Sequence, residues 1–288
     1  MEYLLLIISL CLGVSKNVVP KCAGREFEGT ERLSYVNIIT SIFAMLLFGK
    51  PGACLDGIKD TEFVISALMY GLCILGSQSF YIIAAKNGSV SLCSLIYASC
   101  FVIPTVFSTL AFNEAFSVFR IIGIALMLFS VALVSVKGDV NSSNGKWYLV
   151  FAFMAMLCAG LLGILQKTFS SKYGSENVNS YLFFSFLFML IFSLVIRFFS
   201  GKKYASAKRC GRKFYVCAFA AAVSIVVANK MNLYLAGALP GLVFFPVING
   251  GTIMFSAVMS VILFKEKLRA SAWVGILLGI FAIVLIAL

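Results

Sequence analysis

Polar and apolar positions in this chain are sorted into long blocks, without the short alternation of a protein that keeps one face in water. Apolar blocks recur ten times, at roughly 3–21, 34–49, 62–85, 88–112, 117–136, 146–169, 178–199, 214–236, 239–264 and 270–288. A helix needs about 20 such residues to cross the hydrocarbon of a bilayer, so each block predicts one membrane-spanning helix. The second block, SYVNIITSIFAMLLFG, is at the short end. FYIIAAKNGSV and LYLAGALPGLV leave room only for very tight turns between their helices. The first block lacks a basic leader and runs into VVPKCAGRE rather than a small-residue cleavage site, so it reads as helix 1 and not as a signal peptide.

Composition sharpens this picture. Hydrophobic residues make up 61% of the 288 and charged residues 12%, and mean hydropathy is +1.03. Average soluble domains carry about 25% charged and 45–50% apolar residues. An all-α integral membrane protein is expected, with little chain left over for a soluble domain. Nine cysteines lie mostly at apolar positions, no C-x-x-C pair occurs and histidine is absent. Cysteine then serves as a small apolar residue between helices, and neither a metal nor a cofactor is expected. Acid–base chemistry inside a membrane needs buried His, Asp or Glu. The acidic residues all fall at ends, corners or loops, which argues against an enzyme.

The formal charge of +12 points to a membrane surface rather than to nucleic acid because of where it sits. Of the 23 Lys and Arg, Lys16 and Lys230 lie inside helices and five (Lys50, Lys59, Arg120, Lys167, Lys172) fall in loops after even-numbered helices, which leaves sixteen in loops after odd-numbered ones. The positive-inside rule then puts the odd loops in the cytoplasm and both termini outside. The run RFFSGKKYASAKRCGRKF between helices 7 and 8 contributes most. Topology and anchoring to anionic lipid account for it.

The chain also resembles itself. LAFNEAFSVFRIIGIALMLFSVALVSV and ILFKEKLRASAWVGILLGIFAIVLIAL align on Glu114 and Glu266, an offset of 152 residues (266 − 114), with Phe112 on Phe264 and Gly123 on Gly275. The same offset lays AAKNGSV over AGALPGL, and SLCLGVSK resembles MLCAGLLG at a slightly different one. Two five-helix halves follow, residues 1–140 and 141–288. Five is odd, so the second half enters the membrane upside down, and inverted repeats of this kind place a site near the midplane, around a central cavity. Glu114 and Glu266 sit at the start of the following helix, where a carboxylate complements the positive helix end.

Each half closes with a helix, a Phe-x-Glu corner and a further helix with Gly-Ile in its early turns. In this the chain resembles the drug/metabolite transporter superfamily, EamA type. VINGGTIMFSAVMSVILFKEKL is also similar to the third helix of the small multidrug resistance proteins of that superfamily. The resemblance implies a ten-helix basket whose central cavity opens alternately to each side. Those small relatives carry a membrane-embedded glutamate in helix 1, and nothing acidic occupies the interior of helix 1 here. Export of cationic drugs is therefore the less expected function. The proline common in the middle of helices 4 and 9 is displaced, and Pro104 and Pro246 do not correspond.

What the apolar blocks do hold is positive or neutral: Lys16 and Asn17 in helix 1, Gln78 and Tyr81 in helix 3, Tyr97 in helix 4, Lys230 and Tyr234 in helix 8, and Asn249 in helix 9. The offset of 152 (230 − 78) sets Gln78 opposite Lys230, and likewise Tyr97 opposite Asn249. Gln78 with Tyr81, and Lys230 with Tyr234, share helix faces by their spacing. A charge at membrane depth costs about 2.5–3.5 kcal/mol on insertion scales, so a lysine there either snorkels to the interface or is used. The polar neighbours favour use, and these eight residues form the expected substrate-binding set, the lysines meeting an anionic group. The chain is expected to be a secondary transporter that moves a small polar metabolite, an amino acid or organic anion, across the plasma membrane by alternating access. A translocase of lipid-linked sugar, or an exporter of cationic drugs, is the alternative. The expected partners are a small-molecule substrate and the lipid bilayer, with no nucleic acid, and one chain of ten helices suffices for a pathway.

Overall fold

The computed structural model describes residues 2–23, 30–49, 60–114, 117–135, 147–199, 211–265 and 268–287. They form α1 (Glu2–Ala23), α2 (Thr30–Phe48), α3 (Thr61–Asn87), α4 (Val90–Ala98), α5 (Val102–Phe112), α6 (Val118–Ser135), α7 (Trp147–Tyr173), α8 (Val178–Phe199), α9 (Arg212–Ala238), α10 (Gly241–Phe264) and α11 (Ala270–Ala287). Among the described residues there is no strand. A 3-10 turn, Ser99–Phe101, links α4 to α5 within one span, Leu92–Phe112. Pro104 accounts for the turn: it has no N–H for the Cys100 carbonyl, and its ring crowds that oxygen. Every predicted apolar block thus appears as a helical rod.

Among the described residues, seven spans are long and apolar enough to cross a membrane: α3, the α4–α5 rod, and α6 through α10. The apolar stretches of α1, α2 and α11 are shorter, at 2–15, 33–48 and 270–286. Large apolar side chains such as Leu46, Leu110, Phe198 and Phe199 point outward, which a bilayer tolerates and water would not. The chain is a multi-pass helical membrane protein.

The rods run alternately up and down, which gives the bundle two ends. At the end where α3, α8 and α10 begin and α5, α7 and α9 finish lie Asp60, Glu62, Glu114 and Glu176; we call it the acidic face. At the opposite end α1, α3, α6, α8 and α10 finish and α2, α4, α7, α9 and α11 begin, and most of the Lys and Arg fall at or between those helix ends in the sequence. The basic run over 200–210, the boundary at 140/141 and Glu266 lie outside the described residues.

α6 and α11 pack antiparallel, and their contact is reciprocal. A Cβ at Gly123 would stand 3.1 Å from the Ala282 carbonyl oxygen and 2.7 Å from the Ile286 side chain, and one at Gly275 would stand 2.9 Å from the Ser130 carbonyl oxygen and 3.0 Å from the Val134 side chain. The pairs 123 and 275, 130 and 282, and 134 and 286 are each 152 apart (275 − 123). Ser130 adds a hydrogen bond from its Oγ to the Gly275 carbonyl, 2.6 Å. The same offset relates Asn113 and Lys265, which end α5 and α10 in the left-handed region at φ 48 and 54. In both corners that residue turns the chain out of its helix.

Candidate functional site

The predicted residues fall into separate groups. Tyr81 and Tyr97 come together between α3 and α4, with ring centroids 5.1 Å apart. The Tyr81 hydroxyl shares a 2.8 Å hydrogen bond with Ser94 Oγ. One turn before Tyr81, Gln78 buries its Oε1 with no partner among the described residues. Asn249 donates from Nδ2 to the Phe245 carbonyl of its own helix, 3.0 Å. That bond leaves its Oδ1 open as an acceptor.

Lys230 is exposed, with Nζ 5.7 Å from the centre of the Phe48 ring. It has no carboxylate partner among the described residues. α9 runs on to Ala238, so Lys230 lies eight residues (238 − 230), about 12 Å, from its end. Tyr234, one turn on, is also exposed and borders a cavity of about 210 Å³ at the acidic face with Ser170, Ser175, Leu233 and Gly237. No described hydrogen bond joins Lys230 or Tyr234 to the Gln78–Tyr81–Tyr97 group. Lys16 and Asn17 lie in α1, outside the residues whose side chains are described.

Two buried polar clusters were not among the predicted residues. In the first, Gln166 Nε2 donates to the Tyr70 hydroxyl at 2.9 Å, which in turn donates to Asn229 Oδ1 at 2.7 Å. Three helices, α3, α7 and α9, meet there. Ser9 of α1 bonds Asn232 Oδ1 at 2.6 Å one turn further along α9. Asn229 and Asn232, neighbours of Lys230 on α9, make these bonds between helices.

The second cluster corrects two expectations. Lys167 is not a loop residue: α7 continues to Tyr173, which carries Lys167 about 9 Å inside the helix end. Its side chain is 7% exposed, and Nζ lies 3.2 Å from Glu114 Oε1. It also donates to the Leu239 carbonyl at 2.9 Å and lies over the Phe112 ring. Glu114, for its part, complements a positive helix end, but that of α10 rather than of the following α6. Its two oxygens accept from the Gly241 and Leu242 amides at 2.9 and 3.1 Å. A buried charge survives only when paired and hydrogen-bonded, and here both partners are. The signal for Lys167 was its place within the sixth apolar block, ahead of the polar FSSKYGSEN.

Further ties close the same face. Lys172 pairs with Glu62, and Tyr173 donates to Asp60 Oδ2 at 2.6 Å. Burial follows suit: α10 is buried at every residue from Gly241 to Ile248, whereas 255–259 are half-buried or exposed. α3 is buried most densely in its middle, over Tyr70–Ser77, and half-buried over 78–83. α10 is thus packed closely toward the acidic face and more loosely toward its other end.

Residues 146–288 match the EamA-like transporter family. A solved crystal structure that is 11% identical superposes with a TM-score of 0.74 over 99% of this chain and 96% of that one, which shows a shared fold. No curated protein sequence matches the chain.

Proposed function

From that match over residues 146–288, we propose that the chain is an EamA-like secondary carrier of a small polar metabolite with an anionic group, working by alternating access in the plasma membrane. The observation that carries this reading is the burial gradient along α10, closed toward the acidic face and looser toward the basic one. A channel needs no such asymmetry; a carrier caught facing one side does. The positive-inside bias makes the accessible side cytoplasmic.

Two inverted halves, 1–140 and 141–288, are part of the proposal, supported by the reciprocal α6–α11 contact at an offset of 152 (275 − 123). Tyr81, Tyr97, Gln78 and Asn249 offer hydroxyls and open acceptors to the substrate. Lys230, and Lys16 with it, supplies positive charge, and Asn17 and Tyr234 complete the set. The partners are the substrate and the bilayer, one chain providing the pathway without nucleic acid, and no chemistry is performed on the cargo. The test is a thermal-shift screen of purified protein against metabolites, followed by uptake into proteoliposomes. A small carboxylate or amino acid is expected to stabilise the protein and to be taken up saturably. A copurifying lipid-linked sugar, with no response to soluble metabolites, would replace this reading with that of a lipid-sugar translocase.

A further inference from the structure

Glu114 fills a complete anion site. Its oxygens take the first two amides of α10, Gly241 and Leu242, at 2.9 and 3.1 Å, and the Lys167 ammonium stands 3.2 Å away. The first amides of a helix have no intrahelical acceptor and carry partial positive charge, so they suit an anion. A further polar group at the site lacks a partner. The Ser108 hydroxyl is fully buried and makes no hydrogen bond, and it abuts Gly241, where a Cβ would collide with it. Glu114 itself belongs to no helix: it reaches in from the corner just after the left-handed Asn113.

We propose that the α10 N-terminus, Lys167 and Ser108 form a subsite for a free carboxylate, and that Glu114 is its tethered occupant while the acidic half is shut. Every donor of the site lies within 146–288 apart from Ser108, whereas Glu114 precedes that segment. When the corner after Asn113 draws back while α5 stays packed on Gly241, Glu114 leaves and the amides, the ammonium and the Ser108 hydroxyl face the pathway. A substrate carboxylate then takes its place, which spares Lys167 from standing as an unpaired buried charge. The inference rests on the carrier reading only for which carboxylate arrives; the site is testable without transport.

The probe is acetate, with chloride at equal concentration as the control for ionic strength. In purified Glu114→Ala protein, about 100 mM acetate is expected to raise Tm by about 2–5 °C over chloride, while the parent shifts by less than about 1 °C. The double variant Glu114→Ala, Lys167→Met lacks the stranded charge and is expected to fold without acetate and to lose the response. Equal responses in the parent and Glu114→Ala, or an undiminished response in the double variant, overturn the subsite. So does failure of Glu114→Ala to fold when extracted in acetate while the double variant folds. Loss of the acetate response alongside intact metabolite uptake removes the subsite and leaves the carrier standing, and an acetate response without any uptake does the reverse.

Discussion

Gly123 and Gly275 each lie against the other's helix at equivalent places: Gly123 meets Ala282 and Ile286, and Gly275 meets Ser130 and Val134. Either Gly→Ala change puts a methyl within about 3 Å of a carbonyl oxygen that belongs to a rigid helix. Overpacking of this kind costs about 1–3 kcal/mol. Both variants are expected to lower Tm by similar amounts in detergent. A large loss at one glycine with none at the other would show that the contact is not reciprocal.

Tyr70 is the hinge of a three-helix hydrogen-bond chain. Tyr70→Phe keeps the ring, which packs on Tyr181 with centroids 5.4 Å apart, and removes the hydroxyl that joins Gln166 to Asn229. The buried Gln166 amide and the half-buried Asn229 amide are left short of a partner, a loss of about 1–3 kcal/mol. Thermal denaturation reads it directly. In the background of Asn229→Leu the further cost should shrink, because the two residues share one bond.

Lys230 has no counter-ion among the described residues, and its substrate role is tested by Lys230→Met. The change keeps the stem and removes the charge. Affinity for the identified anionic substrate should fall by roughly ten- to a hundredfold, the worth of a hydrogen bond to a charged group, with Tm little changed. Lys230→Arg should fall between, since a planar fork replaces a compact ammonium. Unaltered binding by Lys230→Met would assign the residue to snorkelling above Phe48.

Asp60 caps α3 outside the membrane-spanning helices. The Tyr173 hydroxyl, together with the Glu62 and Phe63 amides, holds its carboxyl below the usual aspartate value. A depressed folded-state value means that the contribution is present in full above the unfolded value, near 4, and is lost as pH falls through the folded one. Tm should therefore drop more steeply below about pH 4 in the parent than in Asp60→Asn. At pH 7 that variant should sit about 1–2 °C lower, a modest figure because the group is exposed.

Orientation is tested through a cysteine placed at Ser206, within the basic run between α8 and α9. The excess of Lys and Arg there predicts a cytoplasmic loop. An impermeant maleimide is expected to label it only after intact cells are opened. Ready labelling from outside would invert the topology.

The positions of the helices were legible in the sequence because a bilayer sets a length that one dimension can record. Val178–Phe199 coincides with its apolar block, and most other ends differ by one to four residues. The turn at Gly88–Ser89 and the corner after Phe112 were equally visible, as breaks in an apolar run. Hydropathy alone cannot say where α7 ends, because SSKY is polar yet still helical, and so Lys167 reads from the sequence as a loop residue.

The sequence by itself determined that the chain spans a membrane, roughly where its helices lie, and which polar residues sit in its apolar blocks. Only the tertiary structure decided which of those residues meet. Glu114 finds the α10 amides 127 positions away, and Tyr70 finds Asn229 across 159. A helix's polar residue shows on one line that it must be satisfied, since an unpaired group in hydrocarbon costs several kcal/mol. The partner is chosen by which helices lie side by side and how each is rotated. That choice comes from close contacts such as Gly241 on Ser108 and Gly163 on Pro104, which exist only once the bundle has formed.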